Sequence, residues 1–490
     1  QALLSSDHTI LSHSKKWPQH MAALLASLIS MATGTVAGWS SPAIPFLQGN
    51  MGTLVSEPIT DEQASWVGSI VTLGCLVGAI PAGTLSQMLG RRNFLLVLAL
   101  PLILGWVLII EGEHNVQLIY LGRFINGLSF GAVTVAVPLY NNEIAEDSVR
   151  GNIGVYLDLM LCVGILWSYV VGAVSSYFWL SVSCCMIPIV FLLTFFWMPE
   201  SPVHLMAQGK IEDAEMALRW LRGAKPYHQY DTEPEMLKIQ NMVDQAKERA
   251  QTAVDISDFS SIKEKLSSLS LRSTTSKAIA IALGLMTFQR LSGVSAVVYY
   301  TVDIFRGAGT SIPPTTATII VGVVSVIASA ASACLVDRVG RRFLLIMSDA
   351  IMAISLAVMG IYFVYKDSAV TPGSLWTWIP VVSLTVYTIA LTMGLGSLPY
   401  FMAAELIPLE DQSWANSVIM CYMFLISFVV LKLFIAAVGT FGNVITFGFF
   451  SFCTFLGIFF IYFCVPETKN KTSIEIQNSL QSGLWYGFGK

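Results

Sequence analysis

The chain has 490 residues, of which 54% are hydrophobic and only 12% charged, and its net charge is −4. A soluble protein typically carries about 25% charged residues, so this composition excludes a water-soluble globular protein of this length. A net charge this close to zero gives no reason to expect a nucleic-acid partner.

Apolar stretches long enough to cross a lipid bilayer recur along the whole chain. About 20 residues of helix cross the hydrocarbon core, where only helices and closed barrels satisfy their own backbone. Because these stretches are continuous rather than alternating, they predict helices. We predict about twelve spans, at 19–41, 63–86, 93–111, 116–140, 151–174, 178–198, 276–305, 312–336, 343–365, 375–405, 413–438 and 442–465.

A polar segment separates the first six predicted spans from the last six. Within it, apolar residues recur at helical spacing at 211–223 and 235–250 with charges in every turn, which predicts two amphipathic helices that do not cross the membrane. The predicted parts are an N-terminal tail, a six-helix half, a helical insert, a second six-helix half and a C-terminal tail, at 1–18, 19–198, 199–275, 276–465 and 466–490.

Basic residues predict the orientation of the bundle, because they accumulate in the connections on the cytoplasmic side. They fall on one set of connections, at Lys15, Lys16, Arg91, Arg92, Arg150, Arg338, Arg341, Arg342, Lys469 and Lys471. Both termini and the insert are therefore predicted to be cytoplasmic. No small-residue cleavage site follows the first span, so we interpret it as a retained helix rather than a signal peptide.

No pattern of reactive side chains predicts an enzyme. The eight cysteines all lie in apolar spans without CxxC spacing, and the six histidines are scattered along the chain. The cysteines are interpreted as small packing residues, so we predict neither a metal site nor a cofactor.

Glycine and proline interrupt two of the predicted spans. The sequence GLGSLPY at 394–400 breaks the tenth, and QRLSG at 289–293, followed by Tyr299 and Tyr300, is a polar interruption of the seventh. Broken helices near the middle of the membrane are where a transporter places its substrate site. The alternative is an ordinary buried kink at Pro399.

Seven motifs carry a resemblance to a known family. They are GRF, PLYNNEIAEDSVRG, PESP, QRLSG, DRVGRR, AEL and PETKN, at 122–124, 138–151, 199–202, 289–293, 337–342, 404–406 and 466–470. In this order and spacing they resemble the sugar porter family of the major facilitator superfamily, and the segment VVLKLF at 429–434 is similar to insect facilitated trehalose transporters. The resemblance implies an all-α membrane protein with twelve transmembrane helices in two six-helix halves, a cytoplasmic helical insert, and alternating access.

The resemblance also implies a network of charges at the cytoplasmic mouth. Its members would be Arg91, Arg92, Arg123, Glu143, Arg150 and Glu200 in the first half, and Asp337, Arg338, Arg341, Arg342, Glu405 and Glu467 in the second. Such ion pairs would hold the halves together while the site faces outward. The alternative for Arg91 and Arg92 is plain topological anchoring. Because Gln87 and Met88 replace the family's acid–Arg pair, we hypothesise that the inward-facing state is easily reached.

The central site is implied by the same resemblance, with Gln289 as the family's sugar-binding glutamine. The other candidate substrate-binding positions on the broken spans and their neighbours are Ser295, Tyr299, Tyr300, Ser325, Thr392 and Tyr400. Met423 and Phe424 replace an Asn–Trp pair, so this site has fewer amide groups than a typical hexose site.

Two charged residues, Asp158 and Arg290, stand where the family carries glutamine. A charge inside a bilayer normally faces a cavity or a partner. The two could pair with each other, Asp158 could bind substrate or carry a proton, or Arg290 could hold an anionic solute. Ser40 occupies the position of the family's proton-site aspartate, which favours uniport.

The leading hypothesis is a facilitative hexose or trehalose transporter that acts as a monomer in the plasma membrane. The alternatives are a proton-coupled sugar symporter, an organic-anion transporter of the same fold, and a sensor that does not transport.

Overall fold

The computed structural model describes residues 14–49, 58–146, 148–224, 231–252, 274–369, 375–408, 412–469, 471 and 475. Throughout these residues every regular element is a helix. The predicted all-α class is therefore confirmed. Most of both predicted tails and residues 253–273 of the insert lie outside the described residues.

Six helical spans form the first half of the chain. The first consists of Trp17–Gly38 and Ser40–Leu47, and the next three are Asp61–Leu89, Arg91–Glu111 and Val116–Ile144. The fifth consists of Arg150–Gly154 and Tyr156–Val174, and the sixth is Tyr177–Phe195. These bounds agree with the predicted ones to within a few residues, because long apolar runs define a span well.

The second half repeats this pattern with more interruptions. The seventh span consists of Thr274–Leu291 and Val294–Ala308, the eighth is Pro314–Val339 and the ninth is Arg341–Ala369. The tenth span consists of three helices, Leu375–Trp378, Ile379–Met393 and Leu398–Leu406. One continuous helical run, Gln412–Cys464, then completes the half.

That last run contains two spans rather than one. Eleven described helices are long and apolar enough to cross a membrane, and the last of them has 50 residues. At 1.5 Å per residue it would be roughly 75 Å long, more than twice the bilayer core. The helical backbone is broken at Gly442, whose φ of +80° suits glycine. The eleventh and twelfth spans therefore meet at Gly442, and the described residues form the predicted twelve spans.

The two halves pack against each other mainly through three pairs of spans. The second span lies along the eleventh, the fifth along the eighth, and Ser40–Leu47 packs against Val294–Ala308. We call the end of the bundle that carries Arg91 and Arg341 the basic end, and the other the opposite end. The second span begins at the opposite end, with Asp61, and finishes at the basic end, with Leu89.

The helical insert docks on the first half at the basic end. Its helices are Pro202–Ala207, Ile211–Leu221 and Glu233–Thr252, and they share a small core of Met206, Ala214, Leu218, Ile239 and Val243. Arg222 joins this core to the fourth span, because its guanidinium donates to the Ile144 carbonyl at 3.2 Å and pairs with Glu235 at 2.7 Å.

A carboxylate beside this docking surface ties the start of the first span to the end of the fourth. Partial burial raises the pKa of Glu146, but hydrogen bonds from Ser14, at 2.7 Å, and Gln19 outweigh it, so the pKa lies below its ordinary value. The charged form is favoured because the carboxylate accepts these bonds.

Candidate functional site

The break in the tenth span creates backbone acceptors that Gln289 satisfies. Pro399 has no N–H, so the Leu395 carbonyl four residues earlier loses its helical partner. The Gln289 amide nitrogen donates to the Leu395 carbonyl at 2.6 Å and to the Gly396 carbonyl at 2.9 Å. The side chain is 2% exposed, and its oxygen Oε1 has no partner among the described residues. This buried oxygen therefore keeps unused capacity to accept a hydrogen bond.

Arg290 is held by two side chains of neighbouring spans. One terminal nitrogen donates to the Tyr400 hydroxyl at 2.6 Å and to the Met423 sulfur at 2.8 Å. Nε is buried and finds no acceptor in the described part of the chain. Tyr400 in turn donates to the Met423 sulfur at 3.0 Å. The guanidinium is therefore oriented by neutral groups and retains unused donors.

Asp158 and Arg290 do not form the predicted pair in this structure. Asp158 lies in the fifth span and is partly buried, and it has no hydrogen bond or ion pair with any residue that the structure describes. The two charges therefore remain separate, and the other predicted roles, substrate binding, anion binding and proton transfer, stay open.

Three other predicted substrate residues lie on the seventh, eighth and tenth spans, and their hydroxyl groups make different contacts. Ser295 is buried. The Ser325 hydroxyl contacts the Cys162 sulfur at 3.5 Å, which joins the eighth span to the fifth. The Thr392 hydroxyl donates to the Thr388 carbonyl of its own helix at 2.8 Å. A donated proton leaves the hydroxyl oxygen able to accept, so Thr392 can still bind a donor.

The two tyrosines of the seventh span lie where the halves meet. Tyr300 stacks on Phe434 with ring centroids 5.2 Å apart, and its hydroxyl donates to the Leu431 carbonyl at 3.4 Å. A Cβ added to Gly68 of the second span would lie 2.2 Å from that hydroxyl, so only glycine admits the tyrosine there. The neighbouring Tyr299 is buried.

The prediction that Arg123 belongs to the charge network at the basic end is wrong. The fourth span begins at the opposite end with Val116, which places Arg123 only about two turns from that end. Its fully buried guanidinium donates to the Val67 carbonyl at 3.1 Å, to the Ser40 hydroxyl at 2.7 Å and to the Val36 carbonyl. Arg123 therefore connects three spans of the first half.

Arg123 also lies against aromatic rings from both halves. Its guanidinium carbon is 5.3 Å from the Trp39 ring centroid and 5.9 Å from that of Tyr299. Cation–π attraction is strongest where the cation is desolvated, as here. The seventh span is thus in contact with the buried charge of the first half.

At the basic end, the charges form two matching clusters. Arg91 binds the Glu143 carboxylate through two nitrogens, the shortest contact being 2.9 Å, and Arg341 pairs with Glu405 at 3.1 Å. Each pair joins the start of one span to the end of the next within a single half. In this structure neither pair joins the two halves, and the expectation that they do so while the site faces outward stays a prediction. A sequence motif identifies the charges but not the helix that each one faces.

The acids after the sixth and twelfth spans complete these clusters. Glu200 accepts from the Arg92 backbone N–H at 3.0 Å, and Glu467 accepts from the backbone N–H groups of Arg341 and Arg342 at 3.1 and 3.2 Å. A carboxylate at a helix N-terminus satisfies free N–H groups and complements the helix dipole.

Glycine at two corresponding positions leaves room for these carboxylates. A Cβ at Gly90, where φ is +93°, would lie 2.5 Å from Glu200 Oε2, and one at Gly340, where φ is +106°, would lie 3.3 Å from Glu467 Oε2. The repetition shows that the two halves share the same local geometry at these corresponding positions.

The remaining members of the predicted network are only partly described. Arg92 and Arg342 reach the Phe196 and Tyr462 carbonyls of the spans beside them. Arg150 begins the fifth span and contacts the Ala145 carbonyl at 3.5 Å. Asp337 and Arg338 lie in the helix of the eighth span, but their side chains are outside the described part of the structure.

Comparison with known proteins identifies the family. Residues 20–480 match the family described as "Sugar (and other) transporter". The chain belongs to this family. It is 35% identical over 466 residues to the facilitated trehalose transporter Tret1 of Polypedilum vanderplanki, covering 95% of this chain and 88% of that protein. It is also 35% identical to Tret1 of Drosophila willistoni over 464 residues, which is 95% of this chain and 51% of that longer protein.

A solved structure shows the same fold. The xylose transporter XylE from E. coli, in a partially occluded inward open conformation, aligns with a TM-score of 0.74 and 21% identity, over 93% of this chain and 100% of that one. Two six-helix halves of the major facilitator type are thus common to this transporter-family member and that structure.

The halves of this family member are joined by hydrogen bonds near the opposite end. The Tyr169 hydroxyl of the fifth span donates to the Val298 carbonyl of the seventh at 2.8 Å, and the Val302 N–H donates to the Ser41 hydroxyl of the first span at 3.0 Å. These bonds draw the seventh span onto the first half on the side away from the basic clusters.

Sequence reasoning missed one charged residue in the ninth span, Asp349. It is fully buried, and both carboxylate oxygens are without a partner among the described residues. A Cβ on Gly457 of the twelfth span would lie 2.8 Å from Oδ2 and 3.3 Å from the side chain of Phe288. A single acid among apolar spans was the signal that could have identified it.

We expect Asp349→Asn to stabilise the protein. An unpartnered acid in this enclosed position costs free energy, and asparagine keeps the shape without the charge, so we expect a gain of roughly 1–3 kcal/mol. Thermal unfolding in detergent measures it, with Asp213→Asn, which changes an exposed acid of the insert, as the control. A lower midpoint for Asp349→Asn would show that the carboxylate contributes favourable interactions.

Proposed function

We propose that this protein is a facilitative transporter of a hexose or trehalose that works by alternating access. The observation that carries the proposal is the buried, unpartnered oxygen of Gln289 at the junction of two broken spans. A site built to bond a hydroxyl rejects molecules that lack one, because its buried polar group is then unpaired. The relatives named as facilitated trehalose transporters support a sugar as the solute.

In this proposal the substrate meets polar side chains from both halves around Gln289. Asp158 would come from the first half, and the second half would supply Arg290, Ser295, Tyr299, Tyr300, Ser325, Thr392 and Tyr400. The tyrosines offer an apolar face to the sugar ring as well as a hydroxyl. The proposed mechanism includes no cofactor. The concentration gradient of the solute drives its movement, and the conformational change exposes the site to each side in turn.

The proposed cycle alternates contacts at the two ends of the bundle. Contacts between Tyr169 and Val298 and between Ser41 and Val302 favour closure of the opposite end, which supports an inward-facing state. The charge pairs Arg91–Glu143 and Arg341–Glu405 lie within their halves here. We propose that the clusters they belong to meet across the basic end when the site faces outward.

The proposed orientation places the basic end, the insert and both termini in the cytoplasm, following the distribution of lysine and arginine. We further propose a plasma-membrane location and function as a monomer. Reporters fused to the connecting segments test the orientation, and termini on opposite faces would contradict it.

We propose uniport rather than proton symport, and the partner of Arg123 supports this proposal. A proton-coupled site needs a group that gains and loses a proton during the cycle. Arg123 donates to the hydroxyl of Ser40, which has no carboxylate to titrate. The buried arginine is thereby satisfied by groups that keep their protonation state throughout.

Uptake into proteoliposomes tests the proposal. Purified protein is reconstituted, and saturable uptake of labelled glucose and trehalose is measured with and without an inward proton gradient. We expect uptake that equilibrates the sugar and ignores the gradient. Accumulation driven by the gradient would favour proton coupling through Asp158, and the absence of saturable flux for every sugar would overturn the proposal.

A second candidate substrate is an organic anion, favoured by the unused donors of Arg290. Because Arg290 is one of the proposed binding residues, we expect Arg290→Gln to raise the KM for a neutral sugar, but by no more than about fivefold, the loss of one hydrogen bond to a neutral hydroxyl. If the natural solute is an anion, inhibition by gluconate or glucuronate will fall by about tenfold or more in this variant, because a charge-assisted bond is lost. Competition assays on the same proteoliposomes separate the two.

A further inference from the structure

A lysine of the eleventh span crosses to the other half of the bundle near the opposite end. The Lys432 ammonium donates to the Ser65 hydroxyl of the second span at 2.8 Å and lies 4.2 Å from the centroid of the Trp66 ring. A lysine among apolar residues is costly inside a membrane unless it has a partner. Both of these partners belong to the first half of the chain, whereas Lys432 belongs to the second.

The Trp66 ring contacts two successive turns of the eleventh span. Its ring lies 5.9 Å from that of Phe428, which precedes Lys432 by one helical turn. The second and eleventh spans also pack along each other. The ring therefore makes apolar contact with one turn and a cation–π contact with the next.

We propose that Lys432 and Trp66 form a latch that holds the two halves together at the opposite end. The inference rests on the proposed alternating access and adds a residue pair that sets its balance. Both contacts require the second and eleventh spans to lie side by side, so they are made in one state and broken when the opposite end opens. A contact present in only one state shifts the equilibrium toward that state.

Lys432 acts on the position of the halves and not on the substrate. Removing the latch should populate the state that is open at the opposite end, and the equilibrium should shift by about five- to thirtyfold. Lys432→Met and Trp66→Leu should have similar effects, because each removes the same cation–π contact. Lys432→Arg should retain most of the wild-type behaviour, since a guanidinium also lies well over an indole ring.

The chain offers a matched control lysine at the same end. Lys366 donates to the Gly307 carbonyl at 2.6 Å, and both residues belong to the second half. Lys366→Met removes a lysine of the same size near the same end without removing a contact between the halves. It should leave the conformational balance unchanged.

Distance measurements between spin labels test the latch. Labels are placed at the exposed residues His114 and Ser311, one in each half at the opposite end, in a chain whose native cysteines are replaced. In liposomes, wild type and Lys366→Met should share a short-distance distribution. Lys432→Met and Trp66→Leu should add a longer distance. Unchanged distributions in both latch variants would overturn the proposal.

The outcome separates the latch from the proposed function. If the variants lengthen the distance but the wild-type protein carries no sugar, the latch stands and sugar transport fails. If the wild type carries sugar but the distances stay the same, sugar transport stands and the latch fails. Should Lys432→Met not fold, Trp66→Leu gives the same decision, and Lys432→Arg should keep the short distance.

Discussion

Replacing Arg123 by methionine will abolish transport and lower the stability of the protein. The fully buried guanidinium donates to two carbonyls and a hydroxyl on the first and second spans, Val36, Val67 and Ser40. Methionine fills much of the volume but makes none of these hydrogen bonds, and the loss of each buried bond costs about 1–3 kcal/mol. It also removes the contacts with Trp39 and Tyr299. Flux in proteoliposomes and thermal unfolding in detergent measure the two effects.

The control for this change is Arg219→Met in the insert. Arg219 is exposed and pairs with Glu215 one turn away at 2.6 Å, an arrangement that contributes little. It should alter neither flux nor unfolding. If Arg123→Met retained wild-type flux and stability, the interpretation of Arg123 as the polar centre of the first half would be wrong.

Gln289→Ala will raise the KM for the sugar by about 10- to 100-fold. The change removes the free acceptor oxygen proposed to bind a substrate hydroxyl, and it leaves the Leu395 and Gly396 carbonyls without their donor. A lost hydrogen bond that leaves a buried partner unpaired weakens binding by this order. Initial rates of uptake over a range of sugar concentrations give both KM and kcat.

The matched control lies on the tenth span close to the break. The Thr388 hydroxyl donates to the Leu384 carbonyl of its own helix, so Thr388→Val should change KM by less than about twofold. An unaltered KM for Gln289→Ala would place the sugar elsewhere, even if the protein still transports.

The spans and their interruptions could be predicted from the sequence because they depend on local chemistry. Apolar length defines each crossing, and the residues that break the seventh and tenth spans, Gly293 and Pro399, act on their own backbone. The basic turns that follow the second and eighth spans could be placed in the connections for the same reason. Each places arginines at the start of a span, where the acid that follows the last span of that half caps the helix.

Contacts between distant spans could not be predicted in this way. The partners of Arg123 lie on the first and second spans, and neither the GRF motif nor the predicted start of the fourth span at 116 indicates which helices face this side chain. The partners of Arg91 and Arg341 depend on which helix faces which, so the motifs alone did not indicate that each pair lies within one half of the bundle here. Lys432 and Ser65 are 367 residues apart, and no local pattern indicates that they meet.

The most direct test of alternating access around one central site is counterflow. Proteoliposomes are loaded with a high concentration of unlabelled sugar and diluted into a trace of the labelled sugar. A carrier that exposes its site to one side at a time exchanges the two, so the label should rise transiently above its equilibrium level and then fall. A monotonic approach to equilibrium, with no overshoot at any loading concentration, would contradict alternating access.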